Sequence, residues 1–304
     1  IVMRQEALRP ETARMAARSS NKMQTRLSGG EKRNRKRMAE VAAVYELEAV
    51  PRTPEDILPE ASPSPPERPK RPRPKRKRVW ASVARSLPEV VEQCFDEALS
   101  RDAWLERQWV YLADGNKEQL RAALGMAARL GVALFVVLDF IHVLEYLWKG
   151  AWSFHDKGDA AAEAWVLERA RLVLQGKASD VAAGIRRSAT LRGLSKRRRK
   201  GADACADYLV NNREYLRYDE ALARGFPIAT GVIEGACRHL VNDRRGITGA
   251  RWGLDGAEAV LRLRALRASG DLDEYWAFHR RRELERNHLA HYAANELPDL
   301  KRAA

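Results

Sequence analysis

Two uninterrupted apolar stretches of the chain each stop at an aspartate. Trp109–Ala113 ("WVYLA") ends at Asp114, and Val132–Leu138 ("VALFVVL") ends at Asp139. Short apolar runs bounded by turn residues read as strands buried on both faces of a parallel sheet. Between them, Lys117–Leu130 repeats apolar residues at helical spacing (Leu120, Leu124, Ala127), and Gly131 stands where a helix cap is expected. A strand, helix, strand order of this kind predicts two parallel strands joined by a right-handed crossover. Upstream, Leu87–Leu99 carries Leu87, Val90, Val91, Cys94, Phe95 and Leu99 on one helical face. Met38–Leu47 and Val79–Ala84 are weaker strand candidates, Ala13–Ala17 a short helix, and Ser28–Gly30 a turn. His142–Trp148 continues from the second apolar run as a helix. From Gly150 to Arg224 the pattern is helical throughout, clearest at Ala160–Leu174 and Ala202–Leu216. After a break at Gly225–Pro227 come helices at Gly231–Val241 and Gly256–Arg267, then a basic tail. The pattern predicts an α/β chain.

Charge adds a partner to this picture. Lys and Arg number 55 against 41 Asp and Glu, a formal charge of +14 and a pI near 10.0. Such an excess favours a polyanion, because Lys and Arg release the counterions condensed on phosphates. Pro51–Arg78 holds nine prolines and the basic run "ERPKRPRPKRKR" (Glu67–Arg78), which predicts a loop, either solvated or lying along DNA. A second basic run, "KRRRK", occupies Lys196–Lys200. The three cysteines (Cys94, Cys205, Cys237) form no Cys-x-x-Cys pair, which argues against a disulfide framework or a zinc knuckle. No stretch approaches the ~20 apolar residues of a membrane span, and no signal peptide is visible, so a cytoplasmic location is expected.

The strand-end aspartates carry the strongest chemical signal. In parallel sheets ligands sit at the carboxyl ends of the strands. Phosphoryl transfer on DNA uses divalent metals that neutralise charge on the attacking and leaving oxygens, and carboxylates hold those metals. Mg²⁺ prefers carboxylate and water ligands. Asp114 fits that role, or else caps the helix that begins near Lys117. Asp139 and His142 ("LDFIH") read as a metal ligand, as a pair positioned beside the metal site, or as an N-cap with a packed histidine. Glu234 sits early in an otherwise apolar helix. A carboxylate there is costly unless it binds metal or pairs with Arg238, four residues on.

Four blocks together resemble a known family: "LADGN" (Leu112–Asn116), "LDFIHVLEYLW" (Leu138–Trp148), "GVIEGACRHLVNDR" (Gly231–Arg244) and "TGARWGLDGAEAVLRLRAL" (Thr248–Leu266). They look like the characteristic blocks of the Kra-type insertion-sequence transposases, on the mutator-like side of the DDE superfamily. The resemblance runs from Val2 to about Tyr292. It implies a ribonuclease-H-like mixed sheet with an all-helical insertion before the helix of the final catalytic Glu. The corresponding divisions are a core over 1–149 with a basic Pro-rich loop at about 51–78, an insertion over 150–230, and C-terminal helices and a tail over 231–304. It further implies that Asp114 and Glu234 are catalytic metal ligands for two Mg²⁺ ions, with Mn²⁺ as a substitute. Asp139 and His142 would shape the site or hold the DNA end, and Arg251 and Trp252 would contact DNA or, for Trp252, pack in the core. The implied partner is double-stranded DNA, at transposon ends and target, bound by a homo-oligomer in a synaptic complex. The implied location is the bacterial nucleoid. The family places its first catalytic Asp just before a Val-Met-Arg segment, and this sequence begins at Ile1, directly before Val2-Met3-Arg4. The expectation is therefore that residues 1–304 alone are impaired in strand transfer. A non-catalytic DNA-binding partner of a full-length copy is the alternative expectation.

Overall fold

A computed structural model of the chain describes residues 1–18, 35–58, 73–243 and 251–291. Along the chain it contains α1 (Pro10–Arg18), β1 (Glu40–Glu46), α2 (Pro54–Ile57), β2 (Lys75–Ser82), α3 (Leu87–Leu99), β3 (Trp109–Ala113), α4 (Lys117–Leu130) and β4 (Leu134–Leu138). These are followed by α5 (Phe140–Ala151), α6 (Ala160–Leu174), α7 (Ala178–Leu191), α8 (Lys200–Asn211), α9 (Tyr218–Ala223), α10 (Gly231–Ala236), α11 (Leu254–Ser269) and α12 (Leu272–Asn287). The fold is α/β with small sheets and a predominance of helix.

The chain divides into two compact units. One comprises Ile1–Ala43, Arg76–Arg85 and Gly235–Ala304; the other comprises Val44–Lys75 and Ser86–Glu234.

The second unit is organised around β3 and β4, which pair in parallel with Trp109 opposite Leu134 and Ala113 opposite Leu138. The intervening α4 is capped at both ends. Asn116 accepts from the backbone N–H of Glu118 and Gln119, and Gly131 closes the helix in the left-handed conformation. This α4 packs Ala123 and Ala127 against Val91 and Phe95 of α3. On the other side, Val136, Val137 and Leu138 join Val143 and Leu147 of α5 and the inner faces of α6 to α9 in a single core. Leu174, Ile185, Leu209 and Leu222 are among its fully buried members. Each such side chain stabilises the fold by about 1.5–3 kcal/mol. The helical stretch 150–230 therefore shares its core with the parallel pair. It includes α7, a helix not singled out from the sequence, and α8 ends at Asn211, short of Leu216, because a 3₁₀ turn (Arg213–Tyr215) follows.

In the other unit, β1 and β2 pair in a separate two-stranded sheet. Among the described residues the strands thus form two small sheets rather than one mixed sheet. The segment Val2–Arg4 is held between two neighbours. Met3 donates to the Arg35 carbonyl, Trp252 donates to the Val2 carbonyl, and Arg4 donates to the Trp252 carbonyl. Met3 is consequently 0% exposed.

The expected loop over Pro51–Arg78 is corrected at both ends. Pro54–Ile57 is a helical turn closed by a capping box between Thr53 and Asp56. Lys75–Arg78 are the first residues of β2, all four exposed. Their like charges point into solvent, where screening removes most of the repulsion, and the strand pairing with β1 is kept. Residues 59–72 of this stretch and the Ser28–Gly30 turn lie outside the described residues.

Candidate functional site at the strand tips

Parallel register decides what meets at the carboxyl end of this pair. With Ala113 opposite Leu138, the next residues on the two strands are Asp114 and Asp139. The ladder continues by one bond, from the Asp139 N–H to the Ala113 carbonyl at 2.8 Å. Two carboxylates therefore leave adjacent strand tips.

Their surroundings differ. Asp114 is exposed. Its Oδ1 accepts from the Asn116 N–H at 2.9 Å, and among the described residues it pairs with no cation. Asn116, not Asp114, caps α4, so the capping alternative for Asp114 does not hold. The chain turns at Gly115 with φ +93, a conformation that disfavours any side chain.

Asp139 is 4% exposed, and both its oxygens are engaged. Oδ1 accepts from the Ile141 N–H at 2.8 Å and caps α5. Oδ2 accepts from the Thr230 N–H at 3.3 Å and from the Thr230 hydroxyl. A buried carboxylate satisfied in this way is a structural anchor rather than an open ligand.

That anchor leads to the third carboxylate. The Thr230 carbonyl accepts from the N–H groups of Ile233 (2.7 Å) and Glu234 (3.1 Å), so Thr230 is clamped to β4 by its side chain and opens α10 by its carbonyl. Ile228 reinforces the clamp by accepting from the Phe140 N–H at 2.8 Å. Glu234 stands in the first turn of α10 and is exposed, so the desolvation cost expected from its apolar sequence neighbours is not incurred. The expected pair with Arg238 is also corrected. The helix expected over Gly231–Val241 changes at Cys237 into a π turn (Cys237–Asn242), and Arg238 lies 4.0 Å from Asp243, five residues on. An i, i+5 partner is what the wider π turn brings into line.

His142 lies on the exposed side of α5, with Nδ1 3.6 Å from Glu145. Arg251 (exposed) and Trp252 (half-buried) belong to the other unit, where the Trp252 backbone pairs with Val2–Arg4. Asp139, Thr230 and the start of α10, which bears Glu234, are thus linked by hydrogen bonds; Asp114 follows the adjacent strand with its own bond to Asn116, and the Trp252 backbone is held in the other unit.

Three residues enter the site that the sequence did not single out. Thr230 is the clamp. Tyr208 of α8 stacks on Tyr146 of α5 with ring centroids 3.9 Å apart and planes 11° apart. The Tyr208 phenol is pushed well above its ordinary value, first by burial, then by Tyr146, Asp114, Asp139 and Glu145. Between α7 and the first residue of α8, Lys196, Arg197 and Lys200 are exposed, and Arg198 is steadied by the Ser153 carbonyl and Asp156.

No group of three or more His, Cys, Asp or Glu side chains is arranged to hold a metal ion among the described residues. The hard oxygen donors suited to Mg²⁺ are Asp114 and Glu234, both exposed; Asp139 is already committed. No helix among the described residues is long and apolar enough to cross a membrane. Comparisons of the chain with protein-family models, with curated proteins and with solved structures find no match.

Proposed function

We propose that this chain is a DNA transposase polypeptide that cuts and joins phosphodiesters at the ends of an insertion sequence, using a ribonuclease-H-like site at the tips of β3 and β4. The observation that carries the reading is the pair of aspartates that follow adjacent strand ends, together with the Asp139–Thr230 bond at the start of the helix that bears Glu234. Adjacent strand ends present two aspartates, and one of them clamps the start of the helix bearing the glutamate.

In this reading Asp114 and Glu234 hold Mg²⁺, or Mn²⁺ in its place. When bound, the metal supplies charge neutralisation at the attacking and leaving oxygens. Asp139 keeps α5 and α10 in position and holds no metal. Hydrolysis forms one P–O bond from water and breaks the bond to the 3′ oxygen at the element's end, leaving a 3′-hydroxyl there. That hydroxyl then gives up its proton and attacks a target phosphorus in line, as the target's own P–O3′ bond breaks. Lys196, Arg197, Lys200 and the exposed Lys75–Arg78 provide the positive surfaces for the phosphate backbones. A homo-oligomer would bring two ends together.

The test is Mn²⁺-dependent cleavage of the DNA flanking the chain's own gene, carried out with its complete natural reading frame. Cutting at the flanks, lost in Asp114→Ala and in Glu234→Ala while DNA binding is kept, supports the reading. Binding of the same DNA with no cutting in either metal would reduce the protein to a DNA-binding partner.

A further inference from the structure

Helix α8 meets α5 unusually closely, and the reason is glycine. A Cβ on Gly201 would lie 2.2 Å from the Lys149 carbonyl, and one on Gly150 would lie 3.3 Å from Cys205 and Trp165. This approach sets Tyr208, two turns along α8, face to face with Tyr146 of α5. The other face of Tyr146 is covered by the Lys149 ammonium, 4.1 Å from the ring centroid. The Tyr208 ring is therefore fixed by packing, and its hydroxyl is directed at the turn after β3. A Cβ on Gly115 would lie 3.6 Å from the Tyr208 oxygen.

The hydroxyl at that position is buried and has no hydrogen-bond partner among the described residues. The nearby carboxylate oxygens with known partners are taken elsewhere: Asp114 Oδ1 by Asn116, and both oxygens of Asp139 by Ile141 and Thr230. A buried, unsatisfied donor costs stability, and where such a group persists in a fold it calls for a partner. Tyr218 on the neighbouring α9 shows the contrast, since its buried hydroxyl donates to the Leu138 carbonyl at 2.8 Å.

We propose that Tyr208 is a substrate-binding residue of the strand-tip site, donating a hydrogen bond to a phosphate oxygen held beside Asp114. This rests on the reading of that site as a metal-dependent phosphodiester site, and it assigns the helical segment a direct part in holding the ligand.

The experiment labels tyrosine with ¹³C at Cζ, identifies the Tyr208 resonance by its loss in Tyr208→Phe, and titrates inorganic phosphate in the presence of Mg²⁺. The expected result is a saturable shift of that resonance and a roughly tenfold weaker phosphate affinity in Tyr208→Phe. That variant should bind Mn²⁺ as the parent does, because it keeps the stacked ring. A merely structural hydroxyl would change the melting temperature and leave phosphate affinity alone, which would overturn the proposal. A silent Tyr208 resonance, with Mg²⁺ binding intact and sensitive to Asp114→Ala, would also overturn it while leaving the site reading in place. Mg²⁺ binding that is absent or insensitive to Asp114→Ala and Glu234→Ala would remove the site reading and the proposal with it.

Discussion

The two units bury their helices to different extents. In the unit of β3 and β4, α6 to α9 bury whole faces: Leu174, Ile185, Leu209 and Leu222 are at most 2% exposed. In the other unit, α12 buries no side chain at all, and Trp276 and Phe278 remain 44% and 51% exposed. Along α12 the pairs are local, Arg282 with Glu285 (2.9 Å), Arg286 with Glu283 (2.8 Å) and Asn287 with Glu283 (3.0 Å), and Arg78 of β2 reaches the N-cap residue Asp271 at 3.1 Å. Pairs of this kind contribute only about 0.2–0.5 kcal/mol each. The firmest polar element of that unit is instead Glu258 of α11, buried and accepting from the Ser82 hydroxyl and the Val83 N–H at 3.0 Å each. One unit thus has a broad apolar core with a few committed polar groups at its edge; the other joins a smaller buried set that includes Met3, Val83, Leu240 and Leu261 to the Glu258 anchor. The candidate carboxylates sit on the first kind of support, where a shift of an ångström is hardest to make.

This contrast can be broken most severely in the apolar core. Leu209→Ala should destabilise by about 2–5 kcal/mol, seen as a lower midpoint in urea, because the cavity cannot refill. A loss below about 1 kcal/mol would mean the helical core is loosely packed. Next comes the anchor of the other unit. Glu258→Ala strands the Val83 N–H and the Ser82 hydroxyl and should cost about 1–3 kcal/mol per stranded group. Thr230→Val, nearly isosteric, removes one donor to Asp139 and should cost about 1–2 kcal/mol while raising hydrogen exchange at the start of α10. At the small end, Trp276→Ala should change stability by less than about 0.5 kcal/mol. A larger loss would show that α12 packs on something after all.

Acid sharpens the same comparison. Asp102 accepts from the Trp109 indole and from the N–H groups of Arg107 and Glu106, with the indole bond the largest cause of a lowered pKa. A carboxylate whose folded value lies below its ordinary 3.8 adds stability above 3.8 and loses it as the pH falls through the folded value. Asp102→Asn should therefore flatten the stability curve below about pH 4 and leave the neutral limb parallel to the parent. Unchanged acid sensitivity would assign the effect to other carboxylates.

Much of the strand-tip architecture was legible in the residues. The apolar runs, the Asp-Gly-Asn stop after β3 and Gly131 after α4 are local signals, and β3, α4 and β4 formed within two residues of their expected ends, whereas α5 runs three residues past Trp148 and α10 stops five short of Val241. What was not legible depends on contacts far along the chain. Thr230 and Asp139 are 91 residues apart, and nothing local marks Thr230 as the partner of a buried carboxylate. Tyr208 and Tyr146 read as ordinary helix residues until Gly150 and Gly201 bring α5 and α8 together. The basic start of β2 was hidden by its charge, which opposes a buried strand but not an exposed one. Asp114 was open as the cap of α4, and the geometry assigns that role to Asn116, two residues on.

In the proposed function Asp114 and Glu234, 120 residues apart in sequence, share one divalent metal centre. Mn²⁺ binding followed by electron paramagnetic resonance tests it most directly, on the parent chain and on the Asp114→Ala and Glu234→Ala variants. With a shared centre the parent binds saturably and each variant loses roughly tenfold or more in affinity, about 1.4 kcal/mol, with the fold intact by circular dichroism. Equal affinity in all three proteins would contradict it.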